Sequence, residues 1–230
     1  MIVLAAHGTR DPRGARVIEQ LADRVRAATP VPVRVAYADV RQPGLATVLG
    51  TVRGYQAVVV PVFLASGYHV RTDIPAQIAA SRHRNAVAAE PFGPAPELIG
   101  VLRERLERAG YRAGDAVVLA AAGSSDVRAL AEVRVAADRL GALLGTSVRV
   151  GYAATARPAI TDAVARARGR RVAIASWLLA PGLFQRRVAE AGADVVANPL
   201  GVHPDVVELV LARYRQAQRQ LTLAAGEAPG

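Results

Sequence analysis

Short apolar runs alternate with amphipathic segments along the whole chain. The runs are rich in β-branched residues and lie near 2–6, 33–38, 57–63, 86–89, 116–121, 147–152, 171–177 and 194–197. Between them, apolar residues recur at spacings of three and four, most clearly in 14–28, 127–144 and 203–219. Buried strands that alternate with helices are typical of βαβ units. The pattern therefore predicts an α/β protein with parallel sheets that helices cover on both faces.

This pattern occurs twice. An offset of 115 residues aligns three segments of the first half with the second: 4–11 with 119–126, 33–39 with 148–154, and 63–69 with 178–184. We therefore expect two tandem-duplicated domains, each a small four-stranded parallel sheet flanked by helices. We place these domains at 1–113 and 114–221, and we expect a flexible tail over 222–230.

The two copies differ in length between the third and fourth predicted strands. Pro91-Phe92-Gly93 aligns with Pro199-Leu200-Gly201 at an offset of 108, so the second copy is seven residues shorter. The extra residues of the first half follow His69. We expect them to form a loop or helix that covers a ligand.

Three polar residues of the first half have no polar counterpart in the second. His7, Asp39 and His69 align with Ala122, Ala154 and Phe184. Four other pairs are retained: Gly8/Gly123, Asp11/Asp126, Pro43/Pro158 and Gly67/Gly182. Because the fold should need its structural residues in both copies, we interpret His7, Asp39 and His69 as one functional site. His83 lies in an arginine-flanked segment that we expect to be solvated, outside this site.

The three residues follow three predicted strands of one sheet. The carboxyl ends of parallel strands meet at one edge, where ligands of α/β proteins bind. Two imidazoles and a carboxylate suit a divalent first-row metal ion such as iron, cobalt, nickel or zinc. The same groups could transfer protons, because imidazole titrates near neutral pH. The residues alone leave metal binding and acid–base chemistry both open.

Arginines beside these residues are candidates for binding an anionic substrate. Arg10 and Arg41 are replaced in the second copy by a serine and an alanine, whereas Arg71 is retained as an arginine. Guanidinium groups bind carboxylates through paired hydrogen bonds. We therefore predict Arg10 and Arg41 as substrate-binding residues, together with Thr9. We include Arg71 as well, although its retention indicates a structural or surface role.

The composition narrows the choice of partner. All 29 basic residues are arginine and the formal net charge is +10, which fits an anionic partner but also a genome rich in G and C. The basic residues are scattered and aromatic residues make up only 4% of the chain. We therefore expect a small polycarboxylate rather than nucleic acid.

Other features of the sequence concern location and cofactors. No apolar stretch approaches the ~18 residues of a membrane span, and the first residues do not resemble a signal peptide. There is no cysteine, which excludes disulfides, thiolate chemistry and a cysteine-bound iron–sulfur cluster. We expect a cytoplasmic protein without a membrane partner.

Two motifs of the first half carry a family resemblance. The first strand ends in A-H-G-T-R-D-P-R, and the third strand and the residues after it read P-V-F-L-A-S-G-Y-H-V-R-T-D-I-P. At this spacing the motifs resemble those of the sirohydrochlorin chelatases, which are class II tetrapyrrole chelatases. The resemblance covers nearly the whole chain and implies two chelatase-like domains with an active N-terminal half. The two active-site histidines of the family fall on His7 and His69. A third family position, often glutamate, falls on Asp39.

The resemblance implies a lyase that inserts Co²⁺ or Fe²⁺, with Ni²⁺ as a further candidate, into sirohydrochlorin during cobalamin or siroheme biosynthesis. His7, His69 and Asp39 would bind the metal ion and catalyse its insertion. The carboxylates of the macrocycle would pair with arginines, and the macrocycle would lie between the two halves. Because one chain carries both halves, the resemblance is compatible with a monomer. A non-catalytic tetrapyrrole or metal carrier on the same fold is the alternative.

Overall fold

The structure is a computed structural model that describes residues 1–167 and 171–226, with side chains described to residue 221. The strands are β1 (Ile2–Ala6), β2 (Val33–Tyr37), β3 (Ala57–Pro61), β4 (Ala86–Ala88), β5 (Ala116–Ala121), β6 (Val148–Tyr152), β7 (Val172–Trp177) and β8 (Val195–Val196). The helices are α1 (Pro12–Ala28), α2 (Leu45–Thr51), α3 (Ile74–Ala80), α4 (Pro96–Ala109), α5 (Val127–Leu144), α6 (Ile160–Ala165), α7 (Leu183–Ala189) and α8 (Pro204–Gly226). A π-helical turn, His69–Asp73, leads into α3.

The strands form two separate four-stranded sheets. Their orders are β2-β1-β3-β4 and β6-β5-β7-β8, and every pairing is parallel. The central strands are buried along their whole length, as expected where helices cover both faces of a parallel sheet. The predicted fold class and internal duplication are therefore confirmed.

Most element boundaries lie within a few residues of those predicted. The helix expected over 127–144 has those bounds, and α1 begins at Pro12 because the Asp11 side chain accepts a hydrogen bond from the backbone N–H of Arg13. The last helix is longer than predicted, since it includes 222–226 of the expected tail. Residues 227–230 lie outside the described residues, and the boundary placed at 113/114 falls in the turn between α4 and β5. Within the described ranges, every helix is too short or too polar for a membrane span.

The last helix of each half packs against the sheet of the other half. Helix α4 contacts β7 and β8, and α8 contacts β3. Two arginines on these helices form hydrogen bonds with the opposite half. Arg105 on α4 donates to the Leu200 carbonyl oxygen at 2.9 Å, and Arg213 on α8 donates to the Phe92 carbonyl oxygen at 3.2 Å. The two contacts are related by the internal offset of 108 residues. A single hydrophobic core therefore includes residues of both sheets, such as Leu4 and Leu119.

The helix expected after His69 is present. The extra residues of the first half extend it, and α3 packs on α2 within that half, because Ile74 is fully buried in the core beneath α2. The expectation about His83 was wrong. His83 is buried rather than solvated, since its Nε2 lies 3.1 Å from the Val52 carbonyl oxygen and its Nδ1 accepts from the backbone N–H of Asn85 at 3.2 Å.

The exchange of α4 and α8 predicts that neither half folds alone as a monomer. A fragment of residues 1–113 lacks α8 and exposes the buried face of α4, which includes Leu98, Leu102 and Leu106. We expect this fragment to aggregate, self-associate or stay unfolded, and to regain the native circular dichroism spectrum on mixing with 114–230. Size-exclusion chromatography with light scattering gives the association state. A monomeric 1–113 fragment that unfolds cooperatively would contradict the expectation.

Candidate functional site

The first sheet changes the direction of its connections beside β1. The chain leaves β1 for β2 on one side and returns to β3 on the other. Ligands of open α/β sheets bind at the carboxyl ends of the strands where this reversal occurs. His7 directly follows β1, and His69 begins the π-helical turn that follows β3. The topology thus brings together two residues that are far apart in sequence.

The imidazoles of His7 and His69 face each other at this edge. Their ring centroids are 4.4 Å apart and their planes are inclined by 74°. Nδ1 of His7 lies 3.2 Å from the Gly8 carbonyl oxygen, and Nδ1 of His69 lies 2.5 Å from a carboxylate oxygen of Asp73. Both acceptors require Nδ1 to carry the hydrogen. In the neutral form, each ring therefore presents the lone pair of Nε2, the form in which histidine binds a metal ion.

Asp73 joins the histidine pair in the structure, although the sequence did not indicate it. It lies four positions after His69, so the helical backbone places its carboxylate beside the imidazole. A carboxylate that accepts from the far nitrogen of a metal-binding histidine fixes the ring orientation and raises its basicity. The second copy carries Val188 at the position of Asp73. The internal comparison that singled out His69 could therefore have found Asp73 as well.

The surroundings of His7 favour its neutral form. Burial lowers the pKa of His7 below its ordinary value of 6.5, and the neighbouring imidazole of His69 lowers it further. The Gly8 carbonyl oxygen and the charge of Asp39 act in the opposite direction but do not reverse the shift. His7 is therefore free of a competing proton at neutral pH.

Asp39 contacts His7 through the backbone, and it lies outside the cavity wall. Its side chain is exposed and accepts from the backbone N–H of Val40 at 2.7 Å, while its own N–H donates to the His7 carbonyl oxygen at 3.1 Å. Among the described residues no group of three histidine, cysteine or acidic side chains is arranged to hold a metal ion. The structure thus pairs His7 with His69 and leaves Asp39 at the margin.

The close approach of two strand ends explains why glycine is retained at position 8 and at its counterpart, position 123. Gly8 has φ +94°, and a Cβ there would collide with the backbone oxygen of Asp39. Gly123 has φ +100° and the same relation to Ala154. The interpretation of this pair as structural is confirmed, because both copies bring two strand ends equally close.

A cavity of about 590 Å³ lies between the two halves, with the two histidines in its wall. The first half also contributes Thr9, Phe63 and Tyr68, and the second contributes Leu130, Trp177, Phe184 and Gln185. Among the described residues the wall contains no aspartate, glutamate or arginine. The cavity thus combines an apolar interior with one imidazole pair.

The predicted substrate-binding residues of the first half differ in their placement. Thr9 lies in the cavity wall. Arg41 packs over the ring of Tyr37 at 5.7 Å and donates to the Thr9 carbonyl oxygen at 3.4 Å. Arg10 is exposed and lies outside the wall. Thr9 and Arg41 are therefore in contact with each other, and Arg10 stands apart.

Arg71 forms an ion pair with the other half. Its Nε lies 4.0 Å from a carboxylate oxygen of Asp126 and donates to the Ser66 carbonyl oxygen at 3.0 Å. Its counterpart Arg186 lies 3.2 Å from Asp11. Each arginine thus faces the helix-capping aspartate of the opposite half. This reciprocal pairing explains why the arginine is retained in both copies.

Two residues of the second half present buried polar atoms without a partner. They are the indole N–H of Trp177 and the side-chain oxygen of Gln185, which the described residues leave unpaired. Both residues lie in the cavity wall, and the first copy carries Val62 and Val70 at their positions. A buried polar atom without a hydrogen bond is costly and calls for an explanation such as a ligand. A comparison for polar residues gained in the second copy could have found them.

Comparison with known proteins places the chain in a family. The sequence model of the CbiX family matches residues 1–109 and again 116–217. The chain therefore belongs to the CbiX family, the sirohydrochlorin chelatases whose motifs it resembles.

Its relatives include proteins about as long as one half. A sirohydrochlorin cobaltochelatase of Methanothermobacter thermautotrophicus is 28% identical in an alignment 130 residues long, which covers 47% of this chain and 91% of that protein. One from Sulfolobus acidocaldarius is 25% identical in an alignment of 112 residues, which covers 47% of this chain and 90% of that protein.

Among solved structures, SirB from Bacillus subtilis with Fe³⁺ superposes with a TM-score of 0.79 at 24% identity, over 94% of both chains. CbiX, described as the terminal enzyme for siroheme biosynthesis in denitrifying bacteria, gives 0.70 at 22% identity, over 94% of this chain and 98% of that one.

We predict that nuclear magnetic resonance titration gives His7 a pKa below 6.5. The neutral ring is favoured in the folded state, so stability falls as the pH drops from 6.5 towards the folded-state pKa and is unaffected above 6.5. In His69→Asn the pKa of His7 should rise towards 6.5 yet stay below it, because burial is the larger cause. A pKa of His7 at or above 6.5 in the unaltered protein would contradict this assignment.

Proposed function

We propose that this protein inserts a divalent metal ion into sirohydrochlorin. The observation that carries the proposal is the pair of imidazoles, 4.4 Å apart, in the wall of a cavity of about 590 Å³ between the halves. The names of the curated relatives support the same reaction. The metal ion is a substrate here, and the protein supplies the groups that hold it and accept protons.

The imidazole pair suits both requirements of metal insertion. The ion must lose water and the macrocycle must lose its pyrrole protons. The two Nε2 atoms of His7 and His69 bind the incoming ion and then accept protons as it passes to the macrocycle. Asp39 offsets the charge of the ion and, because it is exposed, passes a proton to solvent.

The cavity suits a flat macrocycle. Its apolar wall includes Phe63 from the first half and Trp177 and Phe184 from the second, so ring faces can pack on both sides. The carboxylates then project to the rim, where Arg10 and Arg41 are candidates to bind them. Both walls belong to one chain, so we expect the monomer to be sufficient for activity.

The choice of ion is between Co²⁺ and Fe²⁺, with Ni²⁺ as a further candidate. Imidazole and carboxylate ligands accept all three. Solved structures of similar fold carry Fe³⁺ or cobalt. Initial rates with each ion under anaerobic conditions give the intrinsic preference of the protein: a preference for Co²⁺ favours a role in cobalamin biosynthesis, and one for Fe²⁺ favours siroheme biosynthesis.

We predict that His7→Ala and His69→Ala each abolish metal insertion, measured as the change in the absorbance spectrum of sirohydrochlorin. Each variant should keep the native circular dichroism spectrum, because the second half folds without either imidazole. His203→Ala is the matched control, since His203 lies outside the cavity wall and pairs with Glu104. Full activity in either cavity variant would overturn the assignment. Tight binding of sirohydrochlorin without turnover by the unaltered protein would indicate a carrier instead.

A second prediction concerns Asp73. Asp73→Asn should weaken metal binding or slow insertion by about 10- to 100-fold, the usual effect of losing the carboxylate behind a metal-binding histidine. The ¹⁵N spectrum of His69 should shift away from the Nδ1–H tautomer, a change that general destabilisation would not produce. Asp138→Asn, at an exposed site on α5, is the control. An unchanged tautomer and rate would remove Asp73 from the site.

A further inference from the structure

Two ion pairs join the halves beside the cavity, and the internal symmetry relates them. Arg71 faces Asp126 at 4.0 Å, and Arg186 faces Asp11 at 3.2 Å. The offset of 115 residues converts one pair into the other. Each arginine directly follows a residue of the cavity wall. The two guanidinium groups therefore lie at the rim, one from each half.

Both pairs are easily exchanged. The side chains of Arg71 and Arg186 are 41% and 54% exposed, while those of Asp126 and Asp11 are 25% and 11% exposed. Water reaches the guanidinium group of each pair, and ion pairs open to solvent are weak. The aspartates do not depend on them. Asp11 caps α1 and is bound by the Arg13 guanidinium, the main cause that holds its pKa down to about 2. Asp126 caps α5. If either arginine moves away, its aspartate still accepts the hydrogen bond of the helix cap.

A polycarboxylate ligand needs such cations. Among the described residues of the cavity wall, histidine is the only type of side chain that can carry a charge near neutral pH. The carboxylates of a macrocycle in this cavity must find partners at the rim. Arg41 is already packed over Tyr37. Arg186 pairs with the aspartate of the opposite half, and Arg71 pairs with the other such aspartate while its Nε also donates to the Ser66 carbonyl oxygen. Both can therefore change partner when a carboxylate of the ligand reaches the rim.

We propose that Arg71 and Arg186 bind the ligand by carboxylate exchange. Each leaves the aspartate of the opposite half and pairs with a peripheral carboxylate of the macrocycle. The inference rests on the proposed function, since it takes sirohydrochlorin as the ligand. It assigns a substrate-binding residue, Arg186, to the half that has lost the histidines.

The test uses pairs of variants that act in opposite directions. Metal-free protein is titrated with sirohydrochlorin and the dissociation constant is followed by absorbance. Arg71→Ala and Arg186→Ala should each weaken binding by about two- to fivefold, the scale of an exposed ion pair. Asp126→Asn keeps the helix cap but releases Arg71, so it should tighten binding by a similar factor. Both effects should shrink as ionic strength rises.

A purely structural ion pair gives a different result. If the pairs only hold the halves together, Arg71→Ala and Asp126→Asn change binding in the same direction or leave it unchanged, and either outcome overturns the proposal. Arg103→Ala removes an equal charge from a surface pair with Glu107 and should leave binding unchanged. The sirohydrochlorin methyl ester should bind with no difference among the variants.

The outcome also separates this proposal from the proposed function. The unaltered protein can insert the metal ion while Arg71→Ala and Asp126→Asn change the dissociation constant of sirohydrochlorin in the same direction. That result would rule out only the exchange of carboxylates. Failure of the unaltered protein to bind sirohydrochlorin or metallate it defeats both.

Discussion

The packing of each closing helix on the opposite sheet is the constraint on which the rest of the structure depends. Helices α4 and α8 each complete the other half's core, and Arg105 and Arg213 fix them to opposite backbone carbonyls. This exchange holds the two sheets in one orientation. The cavity exists because the loops at their carboxyl edges are thereby made to face each other. The distance between its walls is a property of the interlocked halves, so the site is only as rigid as this interface.

The duplication separates the demands of the fold from those of the chemistry. Backbone strain illustrates this: Val40, beside Asp39, has φ 64°, which is unfavourable for a β-branched residue. Strain of this kind often marks an active site. Here Thr155, the corresponding residue in the half without histidines, has φ 59°. The strained turn thus belongs to the fold, whereas His7, His69 and Asp73 have no counterpart that the fold requires.

The sequence predicts the sheets and the histidine pair because both depend on local pattern and strand order. Buried runs mark the strands, and parallel pairing alone brings the residues that follow them to one edge. The exchange of α4 and α8 could not be predicted, because periodicity tells which face of a helix is apolar but not which sheet covers it. The partner of Arg71 could not be predicted for a similar reason, since Asp126 lies in the other half. His83 was misjudged because flanking arginines indicate solvent, while backbone groups satisfy its ring.

The proposed function gives an electrostatic reason for unequal halves, since the cavity would then admit a cation. His69 already lowers the pKa of His7, so a second imidazole pair in the same space would add repulsion when any ring is protonated. Under the proposed function one pair is enough to hold one ion. The facing wall, to which Ala122 and Phe184 belong, would then serve the macrocycle as an apolar surface. In one chain the two walls can differ in sequence, so one half can lose the histidines and keep the helices, caps and rim arginines.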